Sequence, residues 1–559
     1  MDPYPARFTG RIPVATARAA GEGLEPGDEA DGQVAVAGRL VARRGQGKTV
    51  FADIEDRSGR MQVWATLDRL GPDGLALIAD RRQKAAELRD AGVDPYPARF
   101  TGRVPVATAR AAGEGLEPGG EADGQVAVAG RLVARRGQGK TVFADIEDRS
   151  GRMQVWATLD RLGPDGLARI SEAHLGDIVG VRGAVVRTRR GEVSVAASSV
   201  DMLAKALRPP PDRHAGLRDP ETRYRQRYLD LMASPEVRDQ FVTRARAIAG
   251  VRRFLDDRGF IEVETPALQP IYGGAAARPF VTHHNELGRD LYLRIATELY
   301  LKRCLVGGLD KVYEIGKDFR NEGVSFKHNP EFTMLETYEA YADYEDVARM
   351  LEEMVSQAAR EATGGFVVPW KGGEIDLTPP WRRVRLVDAL REASGIDVLE
   401  HPDAADLRGR MRAAGLDAPD DAPWPKLVDG ILSQALEPTL VQPTILMDYP
   451  LELSPFAKRR ADDPRLVERF EAFCGSMEIA NAFSELNDPD DQRERFAMLQ
   501  ADRAAGDDEA QPADEDFLVA LEHGMPPTGG LGLGIDRLVM LLTDRHSIRE
   551  VILFPAMRT

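Results

Sequence analysis

A near-exact internal repeat constrains how the N-terminal part of this chain can fold. Residues 2–78 recur at 94–170 with a constant offset of 92 and almost no substitution. Repeats of a solenoid diverge at their surface positions and usually number three or more, whereas this segment occurs twice. The repeat therefore indicates a recent duplication or an artefact of gene assembly, and it argues against a solenoid.

Each copy contains three runs with the composition of β-strands. The runs are 33–44, 48–56 and 60–66 in the first copy and 125–136, 140–148 and 152–158 in the second. Only the second copy continues into two further strand-like runs, near Asp177 and Gly191. Five short strands are typical of an OB-fold barrel, whose open face binds single-stranded nucleic acid. Three strands cannot close a barrel and leave unpaired edges, so we predict that residues 1–78 are accessory or poorly packed.

The next part of the chain predicts one complete barrel domain. Residues 79–92 form a short helical pattern that Gly92 stops, and the five strand-like runs follow it, so we assign residues 79–204 to a helix and an OB-fold barrel. Residues 205–230 contain three consecutive prolines and many arginines, which is typical of an interdomain linker.

The remaining residues, 231–559, predict a larger α/β domain. A helical pattern covers about 235–258, and several strand-like runs follow without regular β-α-β alternation. This order favours an antiparallel sheet flanked by helices, with a helical insertion around 383–435. The predicted fold class of the whole chain is therefore α+β.

The charge balance argues against indiscriminate binding to polyanions. The chain has 74 basic and 90 acidic side chains, a net charge of −16. Its arginines nevertheless cluster, which would suit a local basic face for nucleic acid, although any single cluster fits a solvated surface equally well. The clusters are Arg131, Arg135 and Arg136; Arg187, Arg189 and Arg190; and Arg218, Arg223, Arg225 and Arg227.

The hydropathy and cysteine patterns predict a cytoplasmic protein without a membrane partner. No apolar run is long enough to span a bilayer, and the N-terminus lacks the layout of a signal peptide. Cys304 and Cys474 have no nearby Cys or His partners, so neither a disulfide framework nor a structural zinc site is expected.

Two glycine-rich stretches do not match the phosphate-binding patterns that they resemble. Residues 137–141 (GQGKT) look like the end of a P-loop, but Ala134 stands where the first glycine is required and a strand-like run follows. Residues 529–534 (GGLGLG) lack the G-x-G-x-x-G spacing and do not follow a strand. Neither a P-loop nor a dinucleotide fold is predicted.

A polar pattern between residues 311 and 340 indicates chemistry. If 311–322 and 330–340 pair as antiparallel strands, Arg320 and Glu322 project to one face, and so do Glu336 and Tyr338. The fork of an arginine can bind a carboxylate and a phosphate together, which joining an amino acid to ATP requires. The alternative is a cross-strand ladder of salt bridges, which this pattern alone would favour.

This pattern and two further motifs together decide between these interpretations. Residues 259–266 (GFIEVETP), 319–322 (FRNE) and 532–537 (GLGIDR) resemble motifs 1, 2 and 3 of the class II aminoacyl-tRNA synthetases, in the family's order. Within that class, four stretches are similar to the lysyl-tRNA synthetase family, and the resemblance runs from about residue 79 to 559. The stretches are 273–280 (GGAAARPF), 294–303 (RIATELYLKR), 326–334 (FKHNPEFTM) and 481–487 (NAFSELN).

The resemblance implies ATP-dependent activation of L-lysine to lysyl-adenylate and transfer of the lysyl group to the 3′ end of tRNA(Lys). It assigns catalysis to Arg320, Glu322 and Arg537. Arg320 would hold the lysine carboxylate and the α-phosphate, and Arg537 would close over the nucleotide. The remaining ATP contacts would be Glu322 and Asn329 at the adenine, Phe332 stacked on the base, and His328 near the phosphates.

The same resemblance implies a lysine pocket and a metal site. Glu298 and the backbone of Gly274 would bind the α-ammonium, and Glu485 and Tyr338, helped by Glu336, would bind the side-chain ammonium, with Asn481 also in the lysine-binding set. Glu471 and Glu478 would be ligands of Mg²⁺. Their spacing of seven residues would correspond to two helical turns or to an irregular stretch, and by itself it is weak support for a metal site.

The resemblance also implies RNA recognition and an assembly. Arg135, Phe143 and Gln154 would read the anticodon, because an arginine, an aromatic ring and an amide suit unstacked bases. Periodicity alone would equally make Phe143 a residue of the barrel core. Motif 1 implies a homodimer. On this interpretation, deletion of residues 1–78 should leave aminoacylation nearly unchanged.

Other functions remain possible at this stage. An aspartyl- or asparaginyl-tRNA synthetase is the nearest alternative. The acidic pocket would repel the side chain of aspartate, however, and the neutral side chain of asparagine would leave Glu485 unpaired. An enzyme of this fold that aminoacylates a protein would not need an RNA-binding barrel. A non-catalytic RNA-binding paralogue would be expected to have lost at least one of the catalytic residues.

Overall fold

A computed structural model describes residues 75–557, except 138, 212–215 and 505–510, together with five short strands that precede residue 75. The chain divides into two compact units, Met1–His214 and Ala215–Thr559. No helix within the described ranges is long and apolar enough to cross a membrane.

The first copy of the repeat contains two small sheets. Strands β1 (Arg11–Ile12) and β2 (Ala35–Val36) pair in parallel. Strands β3 (Arg39–Gln46), β4 (Thr49–Asp56) and β5 (Gly59–Thr66) form an antiparallel sheet with β4 in the centre. The three strand-like runs predicted for this copy correspond to these strands.

The second copy forms part of a closed five-stranded barrel, as predicted. Helix α1 (Leu75–Asp90) and helix α2 (Val106–Ala111) precede the barrel, and helix α3 (Leu159–Ser171) lies between its third and fourth strands. The strands are β6 (Val126–Arg136), β7 (Thr141–Asp148), β8 (Gly151–Thr158), β9 (Ile178–Arg187) and β10 (Val193–Ala204). Their order around the barrel is β10-β8-β7-β6-β9, which closes the sheet and leaves these five strands without an edge.

Alternating residues and two glycines allow the barrel to close. Val128, Ile146 and Val155 point into a core from which water is excluded, as the period of two in a strand requires. A Cβ at Gly130 would lie 2.5 Å from the carbonyl oxygen of Glu147, and one at Gly183 would lie 2.1 Å from that of Ala196. Glycine is therefore required where neighbouring strands approach most closely.

Two boundaries in the N-terminal half differ from the predictions. Helix α1 begins at Leu75, so its first turn lies inside the repeated segment and the predicted boundary at residues 78 and 79 falls within the helix. The predicted linker 205–230 is partly helical, because α4 (Pro220–Arg225) and most of α5 (Arg227–Ala233) lie within it. The side chain of Asp219 caps α4 by accepting hydrogen bonds from the backbone N–H groups of two residues in its first turn.

Arg227, one of the four clustered arginines near residue 225, is buried and is not part of the basic face that the clustering suggested. Arg227 is only 1% exposed, lies 2.8 Å from the Asp230 carboxylate, and donates to the carbonyl of Leu553 at 3.0 Å. Arg223 lies 3.0 Å from the same Asp230 carboxylate. Arg227 therefore holds the packing of α5 and is not available to RNA phosphates, whereas Arg218 and Arg225 are exposed.

The second unit is built on an eight-stranded sheet of order β11-β15-β16-β23-β22-β21-β20-β19. Its strands are β11 (Ile261–Glu262), β15 (Lys311–Phe319), β16 (Glu331–Ala340), β19 (Arg382–Arg385), β20 (Thr444–Pro450), β21 (Leu466–Phe473), β22 (Glu478–Ser484) and β23 (Thr528–Gly534). The five inner pairs are antiparallel, as predicted, whereas both outer pairs are parallel.

Smaller sheets and helices surround this sheet. A three-stranded sheet contains β12 (Leu268–Gln269), β13 (Val281–His284) and β14 (Arg289–Leu293), and a hairpin contains β17 (Val367–Trp370) and β18 (Gly373–Asp376). The helices are α6 (Pro235–Asp257), α7 (Glu298–Val306), α8 (Tyr344–Thr363), α9 (Leu386–Ser394), α10 (Ala404–Ala413), α11 (Trp424–Ile431), α12 (Pro489–Ala504), α13 (Glu515–Glu522), α14 (Ile535–Leu542) and α15 (Ile548–Val551).

Helices α9 to α11 form the predicted helical insertion. The insertion begins after β19, because residues 382–385 belong to the edge of the main sheet. It returns to β20, which pairs with β19 in parallel, and a parallel pair needs such a long crossover connection.

The two faces of the large sheet have different environments. Leu335, Leu531 and Leu533 point into an apolar core that α6, α8 and α14 cover. The alternate residues of the same strands, Glu336 and Tyr338 among them, line a cavity on the opposite face. The functional residues are therefore held on a rigid sheet whose other face is fully packed.

Candidate active site

A cavity of about 340 Å³ lies over strands β16, β22 and β23. Its floor is open because β23 presents three glycines at alternate positions, Gly530, Gly532 and Gly534. A Cβ at Gly530 would lie 1.9 Å from Oε1 of Glu485, so no side chain fits there. The glycine-rich stretch that fails as a phosphate loop thus makes room for a ligand, and its period of two in a strand was the signal for that role.

Arg320 and Glu322 line one end of the cavity but do not lie on a strand. Strands β15 and β16 pair in the predicted antiparallel register, but β15 ends at Phe319. The prediction that strand alternation orients Arg320 and Glu322 is therefore wrong. The Arg320 Nε donates to the carbonyl of Ile295 at 3.4 Å, and its guanidinium lies 5.1 Å from the centre of the Phe332 ring. These contacts hold the cation at the cavity wall.

The loop between β15 and β16 contributes His328 and Asn329 to the same end. Asn329 is buried, and its amide donates to the Glu331 carbonyl at 2.5 Å and accepts from the backbone N–H of Ala556 at 3.2 Å. Desolvation lowers the pKa of His328 to about 4, and the nearby Arg537 and Lys327 cations add to this effect. His328 is therefore neutral near pH 7.

Arg537 and Glu478 form a pair beside the cavity. The Arg537 Nη1 donates to the Glu478 carboxylate at 2.9 Å and to the backbone carbonyl of the same residue at 2.6 Å. Burial by itself would raise the pKa of Glu478, but the Arg537 cation outweighs it and the pKa is lowered. Glu478 is thus an ionised carboxylate at neutral pH.

Glu471 lies on the strand beside Glu478. The residues occupy β21 and β22 of one hairpin, so their spacing of seven reflects neither two helical turns nor an irregular stretch. Glu471 accepts from Arg469 at 2.5 Å and from the Tyr449 hydroxyl at 2.9 Å. Burial raises the pKa of Glu471 to about 7, opposed by Arg469 and increased by Glu478. Within the described ranges, no cluster of three or more His, Cys, Asp or Glu residues could hold a metal by itself.

The opposite end of the cavity is acidic and closed. Glu336 accepts from the backbone N–H of Thr297 at 3.1 Å and from the Tyr338 hydroxyl at 3.1 Å, which confirms that Glu336 and Tyr338 share a face. Burial raises the pKa of Glu336 to about 8, and the carboxylates of Asp318 and Glu298 add to this effect. Several buried carboxyl groups thus lie close together at this end of the cavity, where they could accept hydrogen bonds from a cationic ligand.

A lysine that the sequence analysis did not single out lies among these carboxylates. Lys302 Nζ is 2.6 Å from Oε1 of Glu298 and 2.5 Å from Oε2 of Glu485. Burial would lower the pKa of Lys302, but Glu298 and Glu485 outweigh burial and raise it. Burial likewise raises the pKa of Glu485 to about 8 although Lys302 opposes the shift. The i,i+4 spacing of Glu298 and Lys302 on α7 was the available signal.

Two other predicted residues of the lysine set also lie at the cavity. Gly274 has a positive φ of 87°, and its N–H donates to Oε1 of Gln511 at 2.6 Å. Gln511, which no sequence motif indicated, is buried and also lines the cavity. Asn481 accepts from the Arg469 Nε at 3.0 Å. The structure thus brings all the predicted lysine and ATP residues to one cavity.

In the barrel, Phe143 and Gln154 lie on the outer surface of adjacent strands. Phe143 is half-buried between Val142 and Ala144, which point into the core, so Phe143 is not a core residue. Gln154 accepts a hydrogen bond from the Ser194 hydroxyl at 3.0 Å. The ring and the amide are therefore both accessible from outside the barrel.

Arg135 does not share a face with Phe143. The register pairs Arg135 with Ala144 and pairs Arg136 with Phe143. Directly opposed residues in an antiparallel pair point to the same side, so Arg136 is the arginine beside the Phe143 ring. Arg135 instead donates to the carbonyl of Ala173 at 2.5 Å.

Comparison with known proteins agrees with this architecture. Residues 219–558 match the family described as tRNA synthetases class II (D, K and N), and residues 126–203 match the OB-fold nucleic acid binding domain. The chain is 54% identical to the lysine–tRNA ligase of Moorella thermoacetica over 483 residues, which cover 86% of this chain and 98% of that protein. It is 55% identical to the enzyme of the same name from Roseiflexus castenholzii, over 86% of this chain and 98% of the relative. It is 50% identical to that of Bacillus subtilis, over 86% and 96%. The chain therefore belongs to the class II tRNA synthetases and, within them, to the lysyl-tRNA synthetase family.

Proposed function

We propose that this chain activates L-lysine with ATP to lysyl-adenylate and transfers the lysyl group to the 3′ end of tRNA(Lys). One observation carries the proposal: a single cavity has guanidinium groups at one end and buried carboxylates at the other. A lysine whose carboxylate faces Arg320 and whose side chain points toward Glu485 would match both ends. Lys302 lies at Oε2 of Glu485, and a neutral aliphatic or acidic side chain would leave Oε1 of the same carboxylate without a partner.

The residues around Arg320 would stabilise the first step. A carboxylate oxygen of lysine attacks the α-phosphorus, a new P–O bond forms, and pyrophosphate leaves. The guanidinium of Arg320 would hold the carboxylate and an α-phosphate oxygen together and stabilise the charge that develops between them. Phe332 would stack on the adenine, with Glu322 and Asn329 at its edge. His328 is neutral near pH 7, so it would contribute a hydrogen bond and not a charge.

The second step would use the same site. The terminal hydroxyl of the tRNA attacks the acyl carbon of lysyl-adenylate, and AMP leaves. Arg537, held by Glu478 at 2.9 Å, would stay over the nucleotide during both steps. The contacts made by Arg320 would then stabilise the phosphate of the leaving AMP.

Glu471 and Glu478 would hold Mg²⁺ together with the phosphates of ATP. The donor set fits, because Mg²⁺ is usually bound by one or two carboxylates and substrate phosphates, and Glu471 and Glu478 supply two carboxylates from the paired strands of one hairpin. When bound, the ion would neutralise negative charge on the phosphates. Arg469 and Arg537 keep the two carboxylates in place.

Pyrophosphate exchange with individual amino acids tests the substrate. We expect exchange with lysine and none with aspartate or asparagine, since an aspartate side chain would meet Glu485 and Glu336. Exchange with aspartate and not lysine would overturn the proposal. Replacing Arg320 by alanine should abolish adenylate formation while the melting temperature stays unchanged, and a variant that retains activity would contradict the role of motif 2.

The pH dependence of lysine binding gives an independent test. Burial raises the pKa of Glu485 to about 8 in the free site although Lys302 opposes the shift, so the protonated fraction of this carboxyl group grows as the pH falls and the protonated form binds an ammonium less well. The KM for lysine should therefore fall as the pH rises from about 6.5 to 8, while the KM for ATP changes little. A KM for lysine that does not change over this range would show that Glu485 takes up no proton in the free site, and a KM that rises with pH would contradict its role in binding the substrate cation.

We further propose that the barrel binds the anticodon through Phe143 and Gln154, with Arg136, which pairs with Phe143, in place of the predicted Arg135. We also propose that the enzyme is a cytoplasmic homodimer formed through residues 259–266. The outward position of Phe143 supports binding of the anticodon by the barrel, because a base can stack on an accessible ring. Sedimentation of the purified chain tests the dimer, and a monomer at micromolar concentration would refute it.

A further inference from the structure

Lys302 lies between two carboxylates at the acidic end of the cavity. Its ammonium lies between Glu298 and Glu485, at 2.6 and 2.5 Å, and its side chain is completely buried. The ammonium is also 5.0 Å from the centre of the Phe456 ring and 5.9 Å from that of Tyr338. Two carboxylates and two aromatic rings thus confine this cation to one position.

Each of the two carboxylates uses one oxygen for Lys302 and keeps the other near the cavity wall. Oε1 of Glu485 has no hydrogen-bond partner among the described residues and lies where a side chain at Gly530 would be. Oε2 of Glu298 lies 3.7 Å from the position of a Cβ at Gly274. Because Gly274 and Gly530 both line the cavity, the second oxygens are placed for a ligand that carries two positive charges.

We propose that Lys302 is a positioning residue that determines specificity by setting the distance between Glu298 and Glu485. This inference rests on the proposed function, in which Glu298 takes the α-ammonium and Glu485 the side-chain ammonium. Two carboxylates without a cation between them repel each other and either move apart or take up a proton. With Lys302 between them, the separation suits one length of diamino acid, so lysine is selected over ornithine, which has one methylene fewer.

The test measures pyrophosphate exchange of the full chain with lysine and with ornithine. The variant Lys302→Met keeps the length of the side chain and removes its charge. We expect kcat/KM for lysine to fall by about 100-fold. The preference for lysine over ornithine should fall by about tenfold, because a fitted pocket discriminates between substrates that differ by one methylene by about 10- to 200-fold in kcat/KM. The KM for ATP should change by less than about twofold, since Lys302 lies at the lysine end of the site.

The matched control is Lys311→Met. Lys311 lies in the same unit, on β15, and pairs with Glu339 at 2.7 Å at the surface. This variant should keep both the exchange rate and the preference for lysine. If Lys302→Met lowers exchange with both amino acids by the same factor and leaves the preference unchanged, Lys302 has only a structural role and the inference is wrong.

A variant that does not fold and an unmodified chain that does not use lysine can each be distinguished from a failure of the inference. If Lys302→Met does not give a cooperative melting transition, Lys302→Arg decides: its larger cation would change the separation of the two carboxylates, so a changed lysine-to-ornithine preference supports the inference and an unchanged one overturns it. If the unmodified chain does not exchange with lysine at all, the proposed function fails, whatever the variants show.

Discussion

The two copies of the repeat, residues 2–78 and 94–170, start from almost the same sequence. They differ at three positions, at which Ile12, Asp28 and Leu77 correspond to Val104, Gly120 and Arg169. Their three strands pair in the same register, and each copy has an irregularity at the same place, between Leu40 and Ala42 in the first and between Leu132 and Ala134 in the second. The hairpins therefore follow from local sequence.

The copies differ in what their outer strands contact. In the second copy, β6 pairs with β9 and β8 pairs with β10, so the barrel closes. In the first copy, the equivalent strands β3 and β5 are the two edges of a three-stranded sheet within the described residues. Closure of the barrel therefore comes from residues 178–204, which only the second copy has.

The largest effect is expected from a charge in the closed barrel. Val155 is fully buried in its core, and Val63 is the equivalent residue of the first copy. Val155→Asp should destabilise the barrel by about 3–5 kcal/mol, since it buries an unpaired charge, and should abolish tRNA binding. Val63→Asp should leave both properties nearly unchanged. Thermal unfolding measures the stability of both variants, and filter binding measures their affinity for tRNA. Equal destabilisation by the two variants would show that the first copy has a similar core.

A smaller effect is expected at the outer face. Phe143→Ala should weaken binding of tRNA(Lys) by about 1–3 kcal/mol, because one stacked base loses its platform, while lysine-dependent pyrophosphate exchange continues. The control is Phe51→Ala, the same substitution in the first copy, for which we expect no change in Kd. A loss of affinity in Phe51→Ala would mean that the first copy also binds RNA.

The smallest effect is expected from removing the first copy. Because α1 begins at Leu75, a deletion of residues 2–74 is cleaner than one that ends at residue 78. We expect kcat/KM for charging of tRNA(Lys) to stay within about twofold of the full chain, as an accessory segment predicts. A loss of more than tenfold in the truncated enzyme would show that the first copy contributes to function.

Much of the architecture could be predicted from sequence. The barrel strands, helix α6 and the inner antiparallel pairs of the main sheet follow from periodicity and turn residues, which are local properties. The end of β15 at Phe319 could not be predicted, because the polar residues that follow continue the alternating pattern while the chain turns toward the cavity. The same limit applies to residues 220–230, where Arg227 is buried by contacts with the distant residue Leu553.

The class of fold, the family and most of the polar residues discussed at the cavity could be assigned from sequence alone, since motifs and strand periodicity are properties of neighbouring positions. The three-dimensional structure was needed to show that Lys302 lies between Glu298 and Glu485, that Gly530 leaves room beside Glu485, and that one copy of the repeat closes while the described strands of the other end in two edges. Each of these depends on residues far apart in the chain, and their distances and burial arise only when the strands and helices pack together.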